Sequence, residues 1–184
     1  MIKLKLFINA CIRENSRTYK IARVLIEKIG GIFDEVNLAE ENLKPLDRET
    51  LERRTSLIAK GDYADPMFQY ARAFSEADTI VIAAPYWDLS FPAELKVYFE
   101  NVYVTGLVSR FGSDGRPHGL CKASKLYYVT TAGGPYTPDY GYNYVKELAT
   151  VHFGIPETEL IKAEMLDVDG FDPDSIVSDT INNL

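Results

Sequence analysis

Short apolar runs alternate along the chain with longer stretches in which apolar residues recur every three or four positions. Residues 2–8 are apolar at 2, 4, 6, 7 and 8 and predict a first strand. Asn15 and Ser16 offer caps for a helix whose Ile21, Ala22, Leu25, Ile26 and Ile29 share one face, and Gly30-Gly31 ends it. Residues 33–38 predict a second short strand. The polar segment 39–66 contains Asp47, a cap for a charged helix running through Lys60, and Pro66 opens a helix carrying Phe68, Ala71 and Phe74. Residues 79–84 read TIVIAA, apolar throughout, as a parallel strand covered on both faces must be. A helix is predicted over 93–104, with Leu95, Tyr98, Phe99 and Val102 on one side. A Gly/Pro-rich excursion, FGSDGRPHG at 111–119, precedes a strand over 126–131. The loop GGPYTPDYG leads into a helix over 142–153, followed by a strand over 160–164 and a helix over 172–182.

This alternation predicts an α/β fold, a parallel sheet with helices on both faces. Five strands in 184 residues favour a flavodoxin-like doubly wound five-stranded order over the larger six-stranded dinucleotide fold. No repeat, low-complexity tract or linker divides the chain, so residues 1–184 are expected to form a single domain.

Charge narrows the function classes. Twenty Lys and Arg stand against 27 Asp and Glu, a formal charge of −7, which argues against nucleic-acid binding and, more weakly, against an anionic membrane surface. The longest apolar run, residues 80–87, is far short of the ~20 residues of a membrane span. The N-terminal stretch is too short and polar for a signal peptide, so a cytoplasmic location is expected. Cys11 and Cys121 form no CxxC pair, and two cysteines with two histidines make a poor zinc set; two inert thiols in a reducing compartment are expected, and no metal. Twelve tyrosines are many for this length, and aromatics at such density line ligand pockets as well as cores.

In open parallel sheets, ligands bind beyond the carboxyl ends of the strands near the point where strand order reverses. Three segments converge there: 9–18, 85–92 and 131–142. None carries a P-loop, and no G-x-G-x-x-G follows a strand. The first offers Ser16, Arg17 and Thr18 at a helix start, where N–H groups, hydroxyls and a guanidinium make a phosphate site; a plain helix cap at Asn15 or Ser16 is the simpler reading of the same residues. The second, APYWDLSFPA, is a rigid aromatic loop able to lay its backbone along a flat ring, or else a hydrophobic corner before a helix. The third, TTAGGPY, allows close backbone approach at its glycines, or is an ordinary strand-to-loop turn. Tyr136, Tyr140, Tyr142 and Tyr144 form either an aromatic wall over a ligand or helix-packing residues.

Taken together, ENSRT (14–18), KPLD (44–47), APYWDLSFPAELKVYFENV (84–102), TGLVSRFGSDGRPHGL (105–120) and TTAGG (130–134) resemble the flavodoxin-like NAD(P)H:quinone oxidoreductases, most nearly the bacterial FMN-dependent NADH-azoreductases. The resemblance runs over roughly residues 1–165, and its specific part is 84–134. It implies a homodimer binding FMN, with NADH or NADPH as electron donor. The implied reaction is two-electron, ping-pong hydride transfer to a quinone or azo acceptor. By position, Ser16, Arg17 and Thr18 would hold the FMN phosphate, with Asn9 near it. Pro85, Tyr86, Trp87, Asp88 and Leu89 would run beside the isoalloxazine, and Thr131, Ala132, Gly133 and Gly134 would contact its pyrimidine end. The two other flavin-based readings are an electron carrier of the flavodoxin type and an NAD(P)H-dependent FMN reductase.

The chain departs from the family where Asp88 stands in place of a frequent asparagine and Ala132 in place of an arginine. The Tyr and His of animal quinone reductases do not map cleanly, and Tyr140 is the nearest candidate for a proton-donating side chain. His118 and His152 are expected to be surface or structural, and no acid/base side chain is expected to be indispensable, because the flavin carries the chemistry.

Overall fold

The computed structural model describes residues 4–184; Ile2 and Lys3, where the first predicted strand begins, lie outside the described residues. Five parallel strands form the main sheet: β1 (Lys5–Asn9), β2 (Phe33–Asn37), β3 (Thr79–Ala83), β6 (Lys125–Thr131) and β7 (Glu157–Ala163). They lie in the order β2-β1-β3-β6-β7, the doubly wound order expected. Between β3 and β6 the excursion folds back as an antiparallel hairpin, β4 (Ser109–Phe111) and β5 (Pro117–Gly119), which the glycines and prolines had read only as a loop. The last strand begins three residues before its predicted start, because pairing along β6 from Lys125↔Glu157 onward extends it through a polar stretch.

Alternation along the strands sorts the core into two layers. Leu6, Ile8, Ile80, Ile82, Leu126 and Tyr128 face one side of the sheet, while Phe7, Val81 and Val129 face the other. Helix α1 (Arg17–Ile29) and the terminal α6 (Pro173–Asn182) cover the second face through Ile21, Ala22, Leu25 and Val177. The first face carries α3 (Gln69–Glu76), α4 (Ala93–Val102) and α5 (Tyr142–Glu147), with Phe74, Leu95, Tyr98, Phe99 and Val145 fully or almost fully buried. Helix α2 (Arg48–Lys60) buries no residue completely and touches that core only through Leu57 and Ile58.

Helix ends follow the capping residues. Ser16 accepts the Tyr19 N–H at the start of α1, and Asp47 accepts the Thr50 N–H at the start of α2; the Thr50 side chain and then its N–H hold the Asp47 carboxyl below its ordinary pKa. Gly30 (φ +71°) and Gly61 (φ +68°) end the same two helices in conformations that disfavour a side chain. Helix α5 ends early and continues as a π-helical turn over Leu148–His152, so the predicted helix over 142–153 is one structural unit with two hydrogen-bond patterns.

The C-terminus of α4 is closed by Arg54 from α2. Its guanidinium donates to the Glu100 carbonyl at 2.8 Å and also to that of Tyr103, and its partial burial lowers its pKa. Tyr103 in turn meets His152 Nδ1 through its hydroxyl at 2.7 Å. Charge-assisted bonds to otherwise unpaired helix carbonyls contribute about 1.5–3 kcal/mol. Replacing Arg54 with Met, which keeps the stem and removes the donors, is therefore expected to destabilise the fold by about that amount, measured as a lower urea midpoint with an unchanged m-value.

Candidate functional site

Strands β1, β3 and β6 pair in register, Asn9↔Ala83 and Ala83↔Val129, so the loops that follow them leave the sheet along one edge. Between those loops lies a cleft of about 820 Å³. The β1–α1 loop and the first turn of α1 contribute Ile12 through Thr18, and the β3–α4 loop contributes Pro85, Tyr86 and Trp87. The end of β6 adds Thr131, Ala132 and Gly133, and the segment after β7 adds Leu166 and Asp167.

The β1–α1 side of the cleft is built from backbone. Among the described residues, no N–H from Ile12 through Thr18 donates a hydrogen bond within the chain, whereas Cys11 N–H goes to Asn9 Oδ1 and Tyr19 N–H to Ser16 Oγ. A run of free donors at the start of a 13-residue helix favours an anion. Ser16 both caps α1 and lines the cleft. Thr18 is fully buried, and its hydroxyl meets that of Thr131 at 2.6 Å, fastening the start of α1 to the end of β6. Asn9 lies beneath the loop: it is buried, donates to Glu35 Oε1 at 3.0 Å, accepts from Cys11, and does not line the cleft.

The aromatic loop is a tight hairpin. Trp87 N–H donates to the Ser90 carbonyl and Ser90 N–H to that of Trp87, at 3.1 and 2.7 Å. Asp88 (φ +48°) and Leu89 (φ +67°) form the two-residue tip, both in left-handed conformation. The tip lies outside the cleft lining; its two N–H groups have no hydrogen-bond acceptor among the described residues. Tyr86 N–H is used on Thr131 O at 2.9 Å, which binds this loop to β6.

The glycine turn is held open from the far side. Ala132 N–H donates to Ala163 O, while the Gly133 and Gly134 carbonyls accept from Asp167 and Met165, leaving the two glycine N–H groups free among the described residues. A Cβ on Gly133 would collide with the Asp167 carboxylate, which also reaches Arg17 Nη1 at 3.3 Å. Gly134 adjoins the lining without entering it.

The tyrosines divide. Tyr136 packs edge-on against Tyr86 with ring centroids 4.8 Å apart, and its burial raises the phenol pKa. Tyr142 and Tyr144 pack against Tyr128 and against Phe91 and Phe99, and Tyr140 is 65% exposed with its carbonyl accepting from Ser90 Oγ at 2.6 Å. None of these four lines the cleft. Burial pushes the Cys11 thiol up to about 11 and that of Cys121 to about 12, so both stay protonated and unreactive near neutrality. His118 sits on the exposed hairpin beside Asp114, and His152 is held by Tyr103. Among the described residues no group of three or more His, Cys, Asp or Glu side chains is placed to hold a metal, and no helix is long and apolar enough to cross a membrane.

A family model described as flavodoxin-like fold matches residues 5–174. The chain belongs to the flavodoxin-like family. Within it, the chain is 33% identical over 178 residues to an FMN-dependent NADH:quinone oxidoreductase of Coprothermobacter proteolyticus, covering 91% of this chain and 88% of that one. A second protein of that description, from Clostridium acetobutylicum, is 34% identical, with 90% and 87% covered. Among solved structures, a Bacillus anthracis azoreductase superposes with a TM-score of 0.84 at 21% identity, covering 98% of this chain and 96% of that one. An FMN-dependent NADH-azoreductase from the same species, in complex with FMN, gives 0.82 at 20% identity, with 98% and 95% covered. At such identities these structural likenesses speak for the flavodoxin-like fold.

Sequence reading missed Leu166 and Asp167. They follow the last strand in a flavodoxin-like sheet, and only the pairing of β7 with β6 carries them to the cleft. Conversely, the aromatic loop pays a local strain that its sequence does not advertise. A left-handed Leu costs about 1 kcal/mol or more, whereas Asn tolerates the region. Because Leu89 is 59% exposed, Leu89→Asn is expected to raise the melting temperature by roughly 1–4 °C in a domain of this size, read by calorimetry.

Proposed function

We propose that this chain is an FMN-dependent NADH:quinone oxidoreductase, a single domain acting as a homodimer in the cytoplasm, with azo compounds as a further acceptor class. The observation that carries the reading is the distribution of free backbone donors along the three loops: the run 12–18, the tip at Asp88 and Leu89, and the pair Gly133 and Gly134. An elongated ligand with an anionic end and a flat ring bearing carbonyls and ring nitrogens matches that series of donors. The name shared by the relatives from Coprothermobacter and Clostridium supports FMN as that ligand.

The residues present fit FMN. The helix start with Ser16 and Arg17 would take the phosphate, supported by Thr18 through its bond to Thr131 and by Asn9 through its hold on the β1–α1 loop. Pro85, Tyr86 and Trp87 would wall the ring, with Asp88 and Leu89 presenting N–H groups at its edge. Thr131, Ala132, Gly133 and Gly134 would receive the pyrimidine side, where the absence of a side chain on the glycines permits close approach. Bound flavin supplies two-electron hydride chemistry between a nicotinamide and a quinone. The protein's part is to bind, orient and shield. Its free N–H groups are fixed by strand pairing before any ligand arrives, so they reorganise little when it binds. Among the described residues no imidazole or thiol lines the cleft, and its only carboxylates are those of Glu14 and Asp167. Tyr86 is the phenol of the cleft lining, and Tyr140, the other candidate to give a proton, lies exposed outside that lining. Exposed Ile12, Leu89 and Tyr140 on the loops around the cleft supply apolar surface that a second copy would cover.

Adding FMN to the flavin-free protein is expected to quench flavin fluorescence stoichiometrically, and the loaded protein to oxidise NADH with menadione as acceptor. NADH oxidation that depends on free FMN as the acceptor identifies a flavin reductase, and flavin binding without NADH oxidation identifies an electron carrier. The double substitution Ser16→Ala, Arg17→Ala leaves the buried Thr18 in place and is expected to weaken FMN binding about 10–100-fold. Unchanged affinity would move the phosphate elsewhere.

A further inference from the structure

The cleft that is proposed to take a phosphate has no net side-chain charge. Its four charged lining residues are Arg13, Glu14, Arg17 and Asp167, two cations and two carboxylates. Arg17 is not free within this set. Its Nη1 lies 3.3 Å from Asp167 Oδ1, across the gap between the first turn of α1 and the segment after β7.

Asp167 is placed there by backbone. Its N–H donates to Gly133 O at 2.9 Å, between the Leu166 and Met165 bonds to Ala132 and Gly134. The main chain therefore stays anchored while the carboxylate is free to swing. The pair is also weak: the Arg17 and Asp167 side chains are 41% and 75% exposed, with a single contact between them. Ion pairs so open to water stabilise little and exchange readily for a stronger partner. A phosphate monoester carries about −1.5 to −2 charge near neutrality and can accept a guanidinium in bidentate fashion.

From these contacts we infer that Asp167 is a resident counter-anion for Arg17, exchanged for the ligand's phosphate group on binding. It thereby sets how strongly the cleft prefers a phosphorylated flavin to an unphosphorylated one. The inference rests on the FMN reading above. Asp167 is a specificity residue in this scheme and has no part in the redox chemistry. Two effects act together: the carboxylate competes for Arg17 and repels the incoming dianion. Both bear on the charged phosphate; beside Gly133, the carboxylate's other neighbour, the Asp167→Asn variant places a group of the same size. The ring would face the aromatic loop and the glycine turn, whose free N–H donors Asp167 does not occupy, since its own N–H donates to the Gly133 carbonyl.

The test is the Kd for FMN and for riboflavin, each by flavin fluorescence quenching, in wild type, D167N, R17Q and the double variant. D167N is expected to tighten FMN about three- to tenfold and to change riboflavin less than twofold, and the gain should shrink at high salt. In the R17Q background the D167N gain should fall markedly, because the exchange partner is gone. D167S serves as a second variant and must shift the FMN-to-riboflavin ratio in the same direction. An FMN affinity that is unchanged or weaker in D167N overturns the inference, as does an equal shift for both flavins. Wild type that binds neither flavin overturns the FMN reading as well, whereas wild type that binds both with a ratio insensitive to residue 167 overturns only the role of Asp167.

Discussion

Parallel strand pairing in register is the constraint on which the rest of the molecule depends. Because Asn9, Ala83 and Val129 are neighbours across three adjacent strands, the β1–α1, β3–α4 and β6–α5 loops must begin at one edge. Parallel strands cannot be joined by tight turns, so each returns through a helix, and both faces of the sheet are buried. The edge left over is where the cleft forms. Its position follows from topology before any particular side chain is considered.

That origin explains the character of the site. Loops leaving strand ends carry backbone donors that no strand partner satisfies; among the described residues those of 12–18 and Gly133 stay free in the cleft lining, and those of Gly134 and the Asp88–Leu89 tip stay free outside it. Two side-chain bonds, Thr18 to Thr131 and Ser90 to the Tyr140 carbonyl, and one backbone bond, Tyr86 N–H to the Thr131 carbonyl, fasten the loops to one another. The aromatic loop adds rigidity at the cost of a left-handed tip, held by two reciprocal backbone bonds between Trp87 and Ser90. Such a site is preorganised by the fold and nearly neutral in side-chain charge.

The tyrosine-rich composition resolves into two uses. Tyr98 and Tyr128 are wholly buried, with hydroxyls that find no hydrogen-bond partner among the described residues, and burial drives both phenol pKa values up. Tyr136, Tyr142 and Tyr144 form the layer between the β6–α5 loop and the core, so of the twelve only Tyr86 reaches the cleft lining.

Periodicity and capping residues determined the elements by themselves, because those signals are local. TIVIAA reads as a strand buried on both faces, Asp47 and Ser16 each cap a helix, and the loops after three strands are legible as converging segments, each with a plain structural reading beside the ligand-binding one. The hairpin over 109–119 escaped such reading since its glycines and prolines speak equally for a loop, and it is fixed by Gly119 lying against the Phe153–Gly154 backbone. The π turn after α5, the burial of Asn9 beneath the loop and the arrival of Asp167 beside Arg17 were likewise decided only by tertiary structure. Arg17 and Asp167 are 150 residues apart in the chain. No local preference encodes such a meeting; the side-by-side ladder of β6 and β7 does.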